Sequence, residues 1–270
     1  MQGKEKKGSS VKRHIAAAIF LPFLVAYLYF LPPPYFLALL IAVGVTAMWE
    51  FYTMYKVPAR LYVPGLVIAA SLLYISCRYP ALLAESVFIG LFVLLLLRLS
   101  LAATPAGCMS ELGPLAVGFF YIAGFLAFQW LIRTGSSGRE YIFLLYISVW
   151  ISDSAAYYIG TYMGKNKLCP SISPNKTIEG AFGSVLGGIL GAGASKVMFG
   201  IPGLSVQGAV SIGAVMGVTA MTGDLIESMF KRDAGVKDSG NLIPGHGGIL
   251  DKLDGMLVSG PVLYIIVRYF

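Results

Sequence analysis

Long apolar runs constrain this chain more than any other feature of its sequence. A helix needs about 20 apolar residues to cross a bilayer. Nine runs of roughly that size occur, at about 15–31, 35–55, 61–77, 84–103, 114–132, 141–163, 178–199, 207–230 and 256–270. The sequence lacks the alternation of barrel strands, and helices are then the spanning structure that satisfies the backbone. The sequence therefore predicts an all-α, polytopic integral membrane protein with about nine transmembrane helices.

Composition supports the same class of protein. Hydrophobic residues make up 57% of the 270 residues and charged residues 12%, which is about half the charged share of a soluble domain. A net charge of +7 would suggest nucleic-acid binding if the basic residues were clustered on one face. They fall instead at the ends of the apolar runs, where membrane proteins place them. We therefore expect membrane lipid as a partner and no nucleic acid.

The distribution of Lys and Arg predicts how the chain is oriented. With nine helices and a cytoplasmic N-terminus, 15 of the 20 basic residues lie on the cytoplasmic side, as the positive-inside rule requires. This orientation places the two longest polar loops, 164–177 and 231–255, together on the cytoplasmic side, where nucleotides are found. We expect a multi-pass protein of the cell's inner (plasma) membrane, with a polar catalytic site on the cytoplasmic face.

The predicted helices divide into two regions. Residues 1–140 hold about five helices, which we interpret as a scaffold with dimer contacts. Residues 141–270 hold the catalytic region and both polar loops. The seventh run, 178–199, repeats the GxxxG spacing, which suits close packing within the chain or at a homodimer face.

Ionisable residues inside the apolar runs mark the candidate site. Such groups cost several kcal/mol at membrane depth, so they usually serve a site or pair with a partner. Glu50 lies in the second run, Asp153 lies midway along the sixth, and Asp224 and Glu227 lie near the cytoplasmic end of the eighth. The role of Glu50 stays open, and Asp153 either joins a polar cavity or bonds a neighbouring helix.

A second acidic pair follows the eighth run. Asp251 and Asp254 are spaced i, i+3, so a helix that begins there aims both carboxylates the same way. With Asp224, they give three carboxylates at two helix ends, joined by a basic, glycine-rich loop. Proteins hold Mg²⁺ with one or two carboxylates plus substrate phosphates, and basic side chains neutralise the remaining phosphate charge. The residues alone therefore predict a metal-and-phosphate site.

The other polar loop ends in a turn before a helix. Its last residues read Ser-Pro-Asn-Lys-Thr over 173–177, and Asn175 or Thr177 is suited to cap the helix that follows. Lys176 beside that helix N-terminus offers a contact for an anion.

The stretch from Ser228 to Asp254 resembles the signature of phosphatidate cytidylyltransferases, also called CDP-diacylglycerol synthases. The matching residues are Ser228, Phe230, Lys231, Arg232, Lys237, Asp238, Gly240, Ile243, Pro244, His246, Gly247, Gly248, Ile249, Asp251, Leu253 and Asp254. The one departure is Lys252, where the family usually has Arg. Lysine keeps the charge but loses the bidentate fork of Arg. The stretch from Asp153 to Gly180 is similar to the family as well.

The resemblance implies an enzyme, a nucleotidyltransferase of phospholipid biosynthesis. Its substrates would be CTP and phosphatidate, and its products CDP-diacylglycerol and pyrophosphate. On this hypothesis Asp224, Asp251 and Asp254 bind Mg²⁺, with a second metal ion as an option. The same three carboxylates, with Lys231 and Arg232, form the expected catalytic set. The expected substrate-binding residues are Lys176, Ser228, Lys237, His246 and Lys252.

Three alternatives remain open from the sequence. Two are enzymes of the same broad type: a CTP-dependent polyprenol kinase, and a cytidylyltransferase for another lipid phosphate. The third is a transporter whose intramembrane acids line a path, although transporters more often show two repeated halves.

Overall fold

The computed structural model describes residues 22–23, 25–101, 104–243 and 247–269, and nearly all of them are helical. Eight long helices lie within these described residues: α1 (Pro33–Met54), α2 (Ala59–Arg78), α3 (Leu83–Leu101), α4 (Cys108–Thr134), α5 (Gly138–Met163), α6 (Ile178–Phe199), α7 (Val206–Asp233) and α8 (Leu250–Tyr269). A 3-10 turn, Pro80–Leu82, precedes α3, and α4 contains a π-helical segment, Phe119–Gly124. Each predicted run from the second to the ninth corresponds to one of these helices.

The first seven helices are long and apolar enough to cross a membrane. The eighth has a shorter apolar stretch, because Asp251, Lys252 and Asp254 lie in its first turns. The predicted all-α, polytopic architecture is confirmed. The run predicted over 15–31 lies largely outside the described residues, and its end, 25–30, is helical. The total of nine helices therefore stays a prediction.

A β-hairpin between α5 and α6 was not predicted by the sequence. Strands β1 (Lys167–Cys169) and β2 (Ser173–Thr177) pair antiparallel, with Lys167 opposite Thr177. Glu179 joins the hairpin to the first turn of α6, since its carboxylate accepts hydrogen bonds from the backbone N–H groups of Lys165 (3.1 Å) and Asn166 (3.2 Å).

The predicted cap of α6 is Thr177. Its hydroxyl accepts a hydrogen bond from the backbone N–H of Gly180 at 3.1 Å. This contact satisfies one of the N–H groups that the first turn of a helix leaves unpaired.

Small residues bring α5, α6 and α7 together. A Cβ on Gly187 would lie 2.6 Å from the carbonyl oxygen of Ile151 in α5, and one on Gly213 would lie 2.5 Å from Cα of Ile189 in α6. The glycine-rich run therefore packs within the chain, as one of its two interpretations predicts. The opposite face of α6 exposes large apolar side chains such as Phe182, so a homodimer there stays a prediction.

Helices from the two predicted regions pack into one bundle. Gln129 of α4 donates a hydrogen bond to the carbonyl oxygen of Met256 in α8 (3.2 Å) and accepts one from the hydroxyl of Tyr146 in α5 (2.8 Å). The side chains of Gln129, Tyr146 and Met256 are all buried. The N-terminal helices thus support α8 directly, and α8 carries the second acidic pair.

We predict that Gly188→Ala lowers the stability of the protein. A Cβ at this position would collide with the backbone of Gly213 in α7, and overpacking of this kind costs about 1–3 kcal/mol. The matched control is Gly193→Ala in the same helix, where an added Cβ meets no atom within 4 Å. Thermal unfolding in detergent should show a lower midpoint for Gly188→Ala alone. Equal midpoints for the two variants would contradict the close α6–α7 packing.

Candidate active site

The hairpin and the chain that follows α7 meet at one end of the bundle. Nε of Arg232, at the end of α7, donates a hydrogen bond to the carbonyl oxygen of Ile172 in the hairpin turn at 3.2 Å. Nζ of Lys176 in β2 lies 2.7 Å from Oδ2 of Asp224 in α7. The predicted polar loops 164–177 and 231–255 are therefore neighbours in the fold, and their cytoplasmic location stays a prediction.

Asp224 is held between two of the predicted substrate-binding residues. Oδ2 forms the ion pair with Lys176, and Oδ1 accepts a hydrogen bond from the hydroxyl of Ser228 at 3.2 Å. Asp224 and Ser228 are one helical turn apart, so they share one face of α7 as their spacing predicts. Over a third of the Asp224 side chain remains exposed, which leaves it accessible to a ligand.

Lys231 lies between two carboxylates. Its Nζ donates a hydrogen bond to Oδ1 of Asp251 at 2.7 Å and lies 3.2 Å from Oε1 of Glu227. Glu227 is completely buried, and Lys231 is nearly so. Two buried carboxylates thus share one ammonium group. The sequence alone predicts no role for Glu227, although its i, i+4 spacing from Lys231 indicates a shared helix face.

Asp251 organises the loop that joins α7 to α8. Its Oδ2 accepts hydrogen bonds from the backbone N–H groups of Ser239 (3.1 Å) and Gly248 (2.7 Å), and from the hydroxyl of Ser239 (3.0 Å). Oδ1 is occupied by Lys231. Four hydrogen bonds therefore fix this carboxylate between α7, the loop and the first turn of α8.

Three carboxylates lie close enough for their charges to repel one another. Asp153 of α5, Asp224 of α7 and Asp254 of α8 interact electrostatically, and Lys176 and Lys252 partly compensate Asp153. Asp254 accepts a hydrogen bond from the backbone N–H of Gly255 at 2.9 Å. The site is therefore suited to bind cations together with an anionic ligand, and Asp153 joins it rather than serving only a helix contact.

A cavity of about 490 Å³ opens beside these carboxylates. Asp153, Lys176 and Asp224 line its polar end, and Leu168 and Met221 are among its apolar walls. Tyr157 also lines it and is 67% exposed on the outside of α5. One cavity thus offers charged groups for a phosphate and apolar walls toward the side of the bundle.

The remaining predicted residues are Arg232, Lys237, Lys252 and His246. Arg232 is exposed, and its guanidinium donates hydrogen bonds to the carbonyl oxygens of Ile172 (3.2 Å) and Val236 (3.1 Å), so it links the hairpin to the α7–α8 loop. Lys237 and Lys252 are exposed. His246 lies outside the described residues.

The carboxylates of the site are the protein's candidate ligands for Mg²⁺. Among the described residues, no group of three or more His, Cys, Asp or Glu side chains is arranged to hold a metal ion. Mg²⁺ commonly takes one or two carboxylates and completes its shell with water and phosphate oxygens, so a metal site built on Asp224 and Asp254 stays a prediction. Asp251 would have to exchange one of its four hydrogen-bond donors, so its role as a ligand stays a prediction.

Fold and site together define a polytopic helical membrane protein with a charged cavity at one end of its bundle. The sequence profile of the cytidylyltransferase family matches residues 11–270. The phosphatidate cytidylyltransferase of Bacillus subtilis is 34% identical over 244 residues, which cover 87% of this chain and 89% of the relative. That of Staphylococcus epidermidis is 35% identical over 218 residues, covering 77% and 80%. That of Staphylococcus aureus is 32% identical over 216 residues, covering 76% and 79%.

The chain belongs to the cytidylyltransferase family and is an enzyme, a nucleotidyltransferase. The resemblance to phosphatidate cytidylyltransferases that the stretch from Ser228 to Asp254 carries is confirmed by these relatives. The transporter alternative is excluded, because the match spans nearly the whole chain and is to a family of enzymes.

We predict that Lys231→Met strongly destabilises the protein. Removing the ammonium group leaves Glu227 and Asp251 as buried carboxylates without a cation, and breaking such a pair costs about 3–5 kcal/mol. The matched control is Lys237→Met, because Lys237 is exposed. Thermal unfolding in detergent should show a large fall for the first variant and little change for the second. A Lys231→Met protein as stable as Lys237→Met would contradict the shared-lysine arrangement.

Proposed function

We propose that this enzyme transfers the cytidylyl group of CTP to phosphatidate, giving CDP-diacylglycerol and pyrophosphate, in the presence of a divalent metal. One observation carries the proposal: Asp153, Asp224 and Lys176 line the polar end of a cavity with apolar walls. A lipid phosphate needs charged groups for its phosphate and apolar groups for its acyl chains. The names of the relatives support phosphatidate as the lipid and CTP as the nucleotide.

The reaction requires little covalent chemistry from the protein. The phosphate of phosphatidate is a monoester with a second pKa of about 6, so it is largely dianionic near neutral pH. One of its oxygens forms a bond to the α-phosphorus of CTP. The bond from that phosphorus to the β-phosphate bridging oxygen breaks, and pyrophosphate leaves with the electron pair. A general base is unnecessary, and catalysis rests on positioning and charge neutralisation.

The basic residues of the site hold the phosphates in this proposal. Lys176 faces the cavity and binds an anionic group there, in exchange for part of its ion pair with Asp224. Lys252 approaches from the first turn of α8. Lys231 fixes Asp251, and Arg232 fixes the hairpin against α7. The last two therefore act first by shaping the site, and direct phosphate contact by either stays a prediction.

The carboxylates would hold the metal. Over a third of the Asp224 side chain is exposed, and Asp254 and Asp251 remain the other predicted ligands. Mg²⁺, with a second ion as an option, supplies neutralisation of the triphosphate charge. A cation would offset the repulsion between the triphosphate of CTP and the carboxylates of Asp153, Asp224 and Asp254.

The active site would face the cytoplasm, where CTP is present, and phosphatidate would enter from the adjacent leaflet. The exposed side of α5 at Tyr157 supports a lateral route, because this residue lines the cavity and also faces the bundle exterior. A headgroup can then reach the acids while its acyl chains stay among lipids.

Labelled CTP distinguishes the proposal from its nearest alternatives. Purified enzyme with phosphatidate and Mg²⁺ should place label from the α-phosphorus in the lipid and label from the γ-phosphorus in pyrophosphate. Label from the γ-phosphorus in the lipid would instead indicate a CTP-dependent lipid kinase. Polyprenol phosphates and other lipid phosphates in place of phosphatidate test the identity of the acceptor, and turnover with one of those alone would contradict the proposal.

We predict that Asp224→Asn lowers the rate of this transfer by about a hundredfold or more, because it removes a charge that acts directly at the reacting phosphates. The control is Glu85→Gln, an exposed acid in the first turn of α3, which should keep the wild-type rate. Initial rates at saturating Mg²⁺ provide the measurement. An Asp224→Asn rate near that of Glu85→Gln would contradict the metal assignment.

A further inference from the structure

Glu50 is a fully buried acid in the N-terminal half of the chain, near the end of α1. It does not line the cavity described above. A charged carboxylate without solvent is costly unless hydrogen bonds satisfy its oxygens. Its partners therefore identify what it does.

Both oxygens of Glu50 accept hydrogen bonds from the far end of the sequence. Oε1 accepts from the backbone N–H of Ile249 at 3.0 Å, and Oε2 accepts from the backbone N–H of Leu250 at 2.9 Å. Leu250 is the first residue of α8. A carboxylate there satisfies N–H groups that the start of a helix leaves unpaired, and its charge complements the positive end of the helix dipole.

Ser239 links Glu50 to the catalytic acids. Its hydroxyl lies 3.2 Å from Oε2 of Glu50 and 3.0 Å from Oδ2 of Asp251. One hydroxyl proton thus serves two carboxylates. Because Asp251 also binds Lys231, a continuous series of contacts runs from α1 through the α7–α8 loop to α7.

Two glycines of the signature make room for this acid. A Cβ on Gly240 would lie 2.6 Å from Oε1 of Glu50, and a Cβ on Gly248 would collide with Oε2 of Glu50 and the hydroxyl of Ser239. The loop backbone can approach Glu50 this closely only without side chains at these positions.

Tyr55, the residue that follows α1, contacts the last turn of α7, where the α7–α8 loop begins. The hydroxyl of Tyr55 lies 3.0 Å from Oδ2 of Asp233 and 3.3 Å from the carbonyl oxygen of Phe230. Burial, and then the Asp233 hydrogen bond and charge, raise the pKa of the Tyr55 phenol, so it remains a neutral donor. The end of α1 therefore contacts the loop where it leaves α7 and where it enters α8.

We infer that Glu50 is a positioning residue of the active site: it fixes the start of α8 and, through Ser239, the orientation of Asp251. The inference rests on the proposed function only where it speaks of catalysis. It assigns a role in the reaction to the N-terminal helices, which contribute no residue to the proposed metal and phosphate contacts.

The test compares Glu50→Gln with Thr46→Ala. Glutamine keeps the size of the side chain but turns an NH₂ group toward backbone donors. Thr46 lies one turn earlier in α1, and its hydroxyl bonds within its own helix, to Ala42. We expect faster amide hydrogen exchange in peptides covering 239–243 and 247–250 for Glu50→Gln, and wild-type exchange for Thr46→Ala.

Kinetics separate positioning from a general loss of structure. For folded Glu50→Gln enzyme, kcat should fall about tenfold or more, while KM for phosphatidate stays near the wild-type value, since Glu50 does not touch the cavity. Ser239→Ala removes the shared hydroxyl alone and should show the same pattern more weakly. This second variant keeps the test decisive if Glu50→Gln does not fold.

Two results would overturn the inference. One is wild-type exchange over these peptides in both Glu50→Gln and Ser239→Ala. The other is faster exchange with unchanged kcat per folded molecule, because Glu50 would then hold the loop without affecting catalysis. Wild-type enzyme in the same assay tests the proposed function separately: if it forms no CDP-lipid, that function fails, and the exchange result still reports on the role of Glu50 in the loop.

Discussion

The site depends on a lysine that the fold places between two buried acids. Lys231 contacts Glu227 and Asp251 together, and because Glu227 is completely buried, water cannot take the place of the lysine there. The lysine fixes Asp251, and Asp251 in turn gathers the backbone of Ser239 and Gly248. The α7–α8 loop is therefore shaped by charge rather than by an apolar core, and it brings the first turn of α8 to the acids of α5 and α7.

This arrangement explains how helices at opposite ends of the sequence act together. Small residues let α5, α6 and α7 approach closely, which sets the cavity between them. The hairpin closes the cavity at its polar end and carries Lys176. The end of α1 holds the loop from behind through Glu50. In the proposed reaction, nucleotide and lipid phosphate meet where charged groups and an apolar wall adjoin.

Much of the fold could be predicted from the long apolar runs and much of the candidate site from one signature, because both are local in sequence. The contacts that could not be predicted from the sequence join residues that are distant in the chain. Glu50 and Leu250 are far apart in the chain, and no spacing rule connects them. The hairpin was missed because its strands are short and polar. Glu227 had a detectable signal, its spacing from Lys231. Asp251 accepts four hydrogen bonds because of the geometry of the loop, and the residue types alone do not reveal that geometry.

In the proposed function, one polar cavity receives the nucleotide, at the end of the bundle where the hairpin and the α7–α8 loop lie. An experimental structure of the enzyme with CTP and Mg²⁺ bound tests this claim most directly. We expect the triphosphate beside Lys176, with density for metal at Asp224 and Asp254. A nucleotide bound at the other end of the bundle, near Arg133 and Arg139, or one that makes no approach to Asp224, would contradict it.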